Sequence, residues 1–342
     1  MPEPLGEVAA MHLITGGAGY LGSEIIRQLT AKGHQVRALV LPGDPLAARL
    51  PEGVEVVEGD ILNQADLARF FDAGAGPYTV IHCASLITMS MKMTDRIWQI
   101  NVQGTQNIID ACLTSGVQRL IHVASVHAIT ELPQGQVMAE PDSMAPEQVV
   151  GAYGQSKAAA VGLVMAARRD RGLPANIVYP AGLSGPGDFA KGNLTQMFLD
   201  YMKGSITLGM KGGYNFTDVR DVAAAIVTLA LAGKQGEDYV LAGEYIRIMD
   251  LIGHFQRITG GKKVTAYCPM WLARALLPAL NLIYKIRGVK PVFSNYSLYT
   301  IGANALFDSG KAARDLNYRP RPIAETLEDT ARWLMAQKEK PV

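Results

Sequence analysis

The sequence predicts an α/β fold, a doubly wound parallel sheet followed by a smaller, mostly helical C-terminal region. Three observations predict it. Short apolar runs alternate with helix-period stretches through the first half of the chain. A glycine-rich turn, Thr15-Gly16-Gly17-Ala18-Gly19-Tyr20-Leu21-Gly22, joins the first apolar run to the first helical stretch. The run Leu120-Ile121-His122-Val123-Ala124 is nearly continuous in apolar character, as suits a strand covered on both faces of a parallel sheet.

The elements follow in order. Met11-His12-Leu13-Ile14 opens the first strand, over 11–15. Leu21, Ile25, Ile26 and Leu29 then mark one face of a helix over 20–32. Further strands are expected at 35–40, 54–58, 78–82, 118–124 and 175–180. Helices are expected at 63–72, 93–115 and 152–170. Past residue 185 the pattern loosens. Gly185-Pro186-Gly187 and Lys211-Gly212-Gly213 punctuate it as loops. Helices recur at 219–232, 247–259, 270–287 and 323–337. The expected division is a dinucleotide-binding unit over 1–185, to which 215–245 returns, and a substrate-binding region over 186–214 and 246–342.

Composition narrows the class. The chain has 342 residues, 49% apolar and 18% charged, and can bury a large core. A net charge of +1 gives no electrostatic case for nucleic acid or an anionic membrane. Cys83, Cys112 and Cys268 are scattered, without the spacing of a disulfide framework or zinc site, and the six histidines show no metal-ligand spacing; no metal is expected. This cysteine usage fits a reducing cytoplasm. The first ten residues lack the basic and apolar regions of a signal peptide. No apolar run is long enough to span a membrane. The nearest, Trp271 to Ile286, is interrupted by Arg274, Pro278, Asn281 and Lys285. It reads as a helix beside the active site, the alternative being a surface that dips into a membrane.

Two motifs carry chemistry. A glycine turn between strand and helix lets the backbone approach a pyrophosphate, while the helix N-terminus offers free N–H groups and partial positive charge. The spacing Gly16, Gly19, Gly22 is G-x-x-G-x-x-G rather than G-x-G-x-x-G. Downstream, Ser125 ends the fifth strand, at the edge where open α/β sheets bind ligands. Tyr153 and Lys157 share one face of a helix start. A phenol is a poor acid–base group at neutral pH. A neighbouring ammonium favours its phenolate, and a serine hydroxyl can hydrogen-bond a substrate oxygen.

With these residues in place the chain resembles the extended short-chain dehydrogenase/reductases of the epimerase/dehydratase group. It is most similar to the dihydroflavonol-reductase and 3β-hydroxysteroid-dehydrogenase branch. The resemblance runs through Thr15–Gly22, Asp60-Ile61, His82-Cys83-Ala84, Asn101-Val102-Gln103-Gly104-Thr105, Val123-Ala124-Ser125, Tyr153 and Lys157, Tyr179-Pro180 to Gly185-Pro186, and Phe216-Thr217-Asp218-Val219-Arg220-Asp221-Val222-Ala223. It implies a Rossmann fold, catalysis by Ser125, Tyr153 and Lys157, and a homodimer. It also implies cofactor contacts from Gly16, Gly19, Tyr20, Leu21, Gly22, Asp60, Ile61, Cys83, Ala84, Asn101, Tyr153, Lys157, Tyr179, Pro180 and Leu183. The Asp60-Ile61 pair would approach the adenine, and the Tyr179–Pro186 backbone would hold the nicotinamide. Substrate contacts are expected from Ser85, Met89, Met91, His127 and Ser184.

Departures matter. Val126 and His127 follow Ser125, so the Asp-Glu pair of sugar-nucleotide dehydratases is missing. Asp218 and Asp221 could form an acid–base pair, but their spacing favours a helix N-terminus. Where an acid would bind the adenine-ribose hydroxyl, or an arginine a 2′-phosphate, the chain has Val40-Leu41-Pro42. Asp44 stands nearby. NAD is therefore the expected cofactor, with NADP left open because Arg37 or Arg49 could reach the site.

The Met-rich segment Leu86–Met93 and the 270–287 helix suggest an apolar pocket, plain packing being the alternative. The expected function is NAD(P)-dependent interconversion of an alcohol and a ketone or aldehyde on an apolar small molecule. One rival is a nucleotide-sugar epimerase using the same trio, with Lys191, Lys203, Lys211 or Arg220 on the diphosphate. The other is a non-catalytic dinucleotide sensor, against which the intact trio argues.

Overall fold

The computed structural model describes residues 11–74, 77–287 and 294–338. The N-terminal decapeptide, read above as no signal peptide, lies outside them. Twelve strands are described: β1 Met11–Thr15, β2 Val36–Val40, β3 Glu55–Glu58, β4 Tyr78–His82, β5 Arg119–Val123, β6 Ala175–Pro180, β7 Gly182–Ser184, β8 Gly209–Met210, β9 Gly213–Asp218, β10 Tyr239–Leu241, β11 Glu244–Arg247 and β12 Tyr267–Cys268. The helices are α1 Tyr20–Ala31, α2 Gln64–Phe71, α3 Asp95–Trp98, α4 Gly104–Ser115, α5 Ala152–Arg171, α6 Asn193–Met202, α7 Val219–Ala232, α8 Ile248–Thr259, α9 Met270–Arg287, α10 Asn295–Gly302, α11 Gly310–Asp315 and α12 Ile323–Lys338.

The main sheet runs β3-β2-β1-β4-β5-β6-β10, each neighbouring pair parallel. The order reverses between β1 and β4. That is the switch point of a doubly wound Rossmann sheet, where a crevice opens beyond the strand ends. Buried strands such as Tyr78-Thr79-Val80-Ile81-His82 are covered on both faces. One core packs Leu13, Val80, Leu120 and Ile177 under α2, α4 and α5. The other packs Ile14, Ile81, Ile121 and Val178 under α1 and α7.

Each of the six strands expected in the first half is present, within a residue at either end. The 93–115 stretch is not one regular helix. Between α3 and α4 a π-helical turn, Gln99–Gln103, adds a local bulge. A three-stranded sheet, β11-β9-β7, forms beyond the main sheet, and a two-stranded ribbon pairs β8 with β12. A third core, with Phe198, Phe216, Leu251, Phe255 and Leu327, lies under α6, α8 and α12. The segment returning after residue 215 contributes α7 and β10 to the main sheet's side of the molecule.

Asp218 takes the helix-cap role. Its carboxylate accepts from the Arg220 backbone N–H at 2.8 Å at the start of α7 and pairs with the Arg220 guanidinium. Asp221 pairs with Arg321 at 2.7 Å. These carboxylates are thereby engaged in holding α7 to the C-terminal segment.

Candidate active site

The glycine turn forms a tight cradle. Gly16 sits at φ +68, and a Cβ there would lie 2.8 Å from the Ala84 nitrogen at the end of β4. A Cβ on Gly22 would collide with the Gly16 carbonyl. Gly19 caps α1 with no side chain, and no acid stands in the first turn. The helix therefore presents backbone N–H groups and its positive end with nothing of its own to neutralise them. The Tyr20 hydroxyl donates to the Gly185 carbonyl at 2.8 Å, tying this turn to the segment after β6.

The ends of β1 and β4 are locked by a buried hydrogen-bond chain. Thr105 donates its hydroxyl proton to the Asn101 carbonyl at 2.7 Å. The His82 Nε2–H must then donate to Thr105, at 3.1 Å, which leaves Nδ1 to accept from Thr15 at 2.7 Å. The Thr15 oxygen in turn accepts from the Ala84 N–H at 3.3 Å. Burial holds the His82 imidazole neutral, with its pKa lowered to about 3. The histidine of His82-Cys83-Ala84 thus fixes the backbone that faces the glycine turn.

Asn101, expected on the cofactor, has a different set of partners. Its Nδ2 donates to Leu86 O and Ser156 Oγ at 3.0 and 2.9 Å. Its Oδ1 accepts from Leu86 N and Ser85 Oγ at 2.7 and 3.2 Å. All four hydrogen-bonding positions of the amide are filled, so Asn101 braces the β4 loop against α5. The π turn aims it there. Ser85 is engaged by the same contact.

Asp60 caps its own turn, accepting from Leu62 N at 2.9 Å. Ile61 is buried, and a Cβ on Gly104 would strike it, which accounts for the glycine of Asn101–Thr105. Cys83 is raised by burial to about 12 and stays a thiol. Leu21 packs into the core beneath the turn. The Tyr179 side chain is buried in the core under α5, leaving only its backbone available to a ligand; Leu183 and the buried Ser184 follow on β7.

Ser125 lies just past β5, buried and extended, its hydroxyl accepting from His127 N at 3.2 Å. Tyr153 is the second residue of α5. The helix approaches the Ser125 loop closely because position 154 is glycine: a Cβ there would meet the His127 carbonyl at 2.6 Å. Burial pushes the Tyr153 phenol up to about 12, and a hydrogen bond with Ser125 works against that rise. Lys157 is buried, and its ammonium donates to the Val123 carbonyl at 2.8 Å. Desolvation lowers it to about 8, so it remains charged at neutral pH. The sequence expectation placed this charge against the phenol; in the structure its direct partner is the end of β5, and Tyr153 carries no opposing shift from it.

Sequence reasoning missed two tyrosines. His127 is held between the Tyr214 hydroxyl at Nε2 and the Tyr296 hydroxyl at Nδ1, the latter at 3.2 Å. Its ring stands edge-on to Tyr153, with centroids 6.0 Å apart. Burial keeps the imidazole neutral, near pKa 4. One nitrogen therefore donates and the other accepts. Tyr214 shares a face of β9 with Phe216 and Asp218, but Tyr296 belongs to no motif. Met89 and Met91 are partly exposed beside this cluster. Their segment is tied down by Ala152 N to Ser90 O at 3.1 Å and Ser294 Oγ to Met89 O at 3.2 Å.

The family model described as the NAD dependent epimerase/dehydratase family matches residues 12–242. The chain belongs to that family. This epimerase/dehydratase member is 27% identical over 325 residues to the sterol demethylase protein B of Methylococcus capsulatus, covering 94% of this chain and 97% of that one. The crystal structure of gox2253 superposes with a TM-score of 0.82 at 29% identity, covering 97% of this chain and all of the other. The UDP-glucose 4-epimerase of Thermus thermophilus, solved with NAD, shares the fold at TM-score 0.75 and 20% identity, over 95% of this chain and 99% of its own.

At the C-terminal end of β2 in this family member, Leu41 is exposed and Asp44 caps a short helix by accepting from Leu46 N at 2.9 Å. Arg37 is engaged elsewhere: it pairs with Glu55 at 2.6 Å and donates to the carbonyls of Phe70 and Asp72. Arg49 lies over the Phe189 ring, 4.0 Å from its centroid. Arg220, weighed as a diphosphate ligand, is held by Asp218 and by Asp329 at 2.8 Å.

Proposed function

We propose that the protein interconverts an alcohol and a ketone or aldehyde on an apolar small molecule, using NAD. The observation that carries this reading is the half-buried Tyr153, its phenol pushed up to about 12, beside the buried Ser125 just past β5, where α5 comes close across Gly154. NAD suits the cradle, since only glycine fits at 16 and 22 and the α1 N-terminus lacks a cap of its own. When bound there it supplies or accepts the hydride.

The chain's own residues manage the proton. Ser125 donates a hydrogen bond to the substrate oxygen and positions it. Tyr153, neutral across the physiological range, passes its proton to a carbonyl oxygen during reduction and is left as a phenolate that solvent reprotonates; in oxidation the phenol must first lose its proton, and the phenolate then takes one from the hydroxyl. Lys157 places a positive charge at the base of the site, which favours negative charge developing at that oxygen. His127, neutral and fixed by two tyrosines, forms a wall without taking the proton itself. Leu41 and Asp44 at the ribose end favour NAD over NADP, because a 2′-phosphate would find a carboxylate and no committed guanidinium.

The sterol-related name of the Methylococcus relative and the exposed Met89 and Met91, whose segment is tied to Ser294 ahead of α10, support an apolar substrate. The engagement of Arg220 weighs against a sugar diphosphate. A panel of cyclic and steroidal ketones, followed by nicotinamide absorbance with each cofactor, tests the reading. Turnover of such ketones with NADH is expected. Epimerisation of a UDP-sugar by protein that retains NAD, with no ketone reduced, overturns it.

A further inference from the structure

The total charge of +1 conceals a polarised chain. From Leu251 to Phe307 there is no Asp or Glu, whereas seven Lys or Arg stand there, Lys262, Lys263 and Arg274 among them. The other residues carry 25 Lys or Arg against 31 Asp or Glu, so the rest of the chain is acidic.

Within this basic stretch lies α9. Met270, Ala273 and Leu277 fall on one face and pack against Met210, Leu298 and Ile301. The opposite face is also apolar. Trp271 is 70% exposed and Leu276 46%, with Ala275 exposed between them. Tyr267, on β12 just ahead of the helix, is 52% exposed. From Met270 to Pro278 the only charged side chain is Arg274. A surface helix of a water-soluble fold sets a polar face opposite its apolar one; over Met270–Pro278 this one does not. An indole, a phenol and a leucine with an exposed arginine among them, and exposed Lys262 and Lys263 a few residues upstream, make the composition of a segment that lies in a lipid interface.

We infer that the outer face of α9, with Tyr267, docks this protein onto an anionic lipid bilayer, lying in the interfacial plane without crossing it. No helix among the described residues is long and apolar enough to cross a membrane. Charge complementarity selects lipid over a second copy of the chain, because a symmetric pairing of this face would bring Lys262, Lys263 and Arg274 towards their own counterparts. The inner face of α9 packs on α10, whose Tyr296 contacts His127, while Ser294 just ahead of α10 is bonded to the Met89 carbonyl. An apolar substrate dissolved in the bilayer would enter beside α9 and α10. Docking goes beyond the reaction proposed above and is tested without turnover.

Flotation of the full chain with vesicles decides it. Binding is expected to phosphatidylcholine mixed with phosphatidylglycerol at low salt, weakly to phosphatidylcholine alone, and to fall as salt screens the lysines. Arg274→Gln should weaken binding about fivefold, and Trp271→Ser about tenfold. Both side chains are exposed, so thermal melting should stay unchanged. Three results overturn the inference: no binding to the anionic vesicles, equal binding by wild type and Trp271→Ser, or a lipid-free dimer that Trp271→Ser dissociates.

Discussion

Gly151 leaves the space that Tyr296 fills. The residue before α5 sits at φ +84 and ψ 150, and a Cβ there would collide with the Tyr296 ring. The helix that carries Tyr153 and Lys157 is thus seated directly against α10, and Tyr296 reaches past it to His127. The wall proposed for the substrate and the helix proposed to carry the acid–base group share one contact.

Replacing Gly151 with Ala should therefore harm both stability and substrate use. The backbone conformation is one that only glycine adopts readily, which alone costs about 1–3 kcal/mol. Moving Tyr296 also frees His127. A lower Tm and a raised KM for the apolar substrate are expected, with NAD affinity preserved because the glycine turn is untouched. Calorimetry and steady-state kinetics check this; an unchanged KM would remove Tyr296 from the pocket wall.

Leu41→Arg should shift preference towards NADP. It places a guanidinium at the ribose end of β2, where Leu41 is exposed and Asp44 already has a backbone partner. Such a group can hold a phosphate through two hydrogen bonds. The ratio of kcat/KM values for NADH and NADPH measures it. A wild type that prefers NADPH would point to Arg49, over Phe189, as the phosphate ligand.

Acid should destabilise this protein through its buried histidines. His12 and His127 are lowered by burial to about 4, His82 to about 3, and His122 well below its ordinary value. The ring nitrogens of His12 and His122 have no hydrogen-bond partner among the described residues. Below pH 6.5 the unfolded chain binds protons that the folded chain refuses, so stability is complete above that pH and is lost as pH falls towards 4. His12, His82 and His127 each contribute on the order of 3 kcal/mol to the loss, and His122 acts in the same direction. Tm measured from pH 7 down to 4 should fall steeply, and His12→Phe should flatten the slope. A Tm constant over that range would contradict the burial of these rings.

The main sheet was legible because buried parallel strands read as apolar runs, and the glycine turn because its residues are demanded by backbone contact. The catalytic role remains the proposal; the places of Ser125 just past β5 and of Tyr153 and Lys157 on one helix were legible from strand order, spacing and the upstream glycine turn together. The π turn at Gln99–Gln103 was not, since one extra residue in a helical turn leaves the apolar pattern almost intact. The small β11-β9-β7 sheet was not, because β7 and β11, which flank the buried β9, are only three and four residues long. Tyr214 and Tyr296 come to His127 from positions 87 and 169 residues away, and no local pattern marks such a meeting. The role of Asn101 depended on four partners that only the folded chain brings together. The surface of α9 was half legible: its apolar run stood out, while the acid-free stretch around it was masked by a neutral total.

The central claim is that Tyr153 transfers the proton. Tyr153→Phe keeps the ring beside His127 and leaves Lys157 on the Val123 carbonyl, so NAD affinity should hold. Turnover of an apolar ketone should fall roughly 10²–10⁴-fold, the usual contribution of a general acid. Single-turnover kinetics with NADH, paired with a binding titration of the same variant, gives both values. A variant that binds NAD normally and keeps more than about a tenth of wild-type turnover, a loss too small for a general acid, would contradict the account.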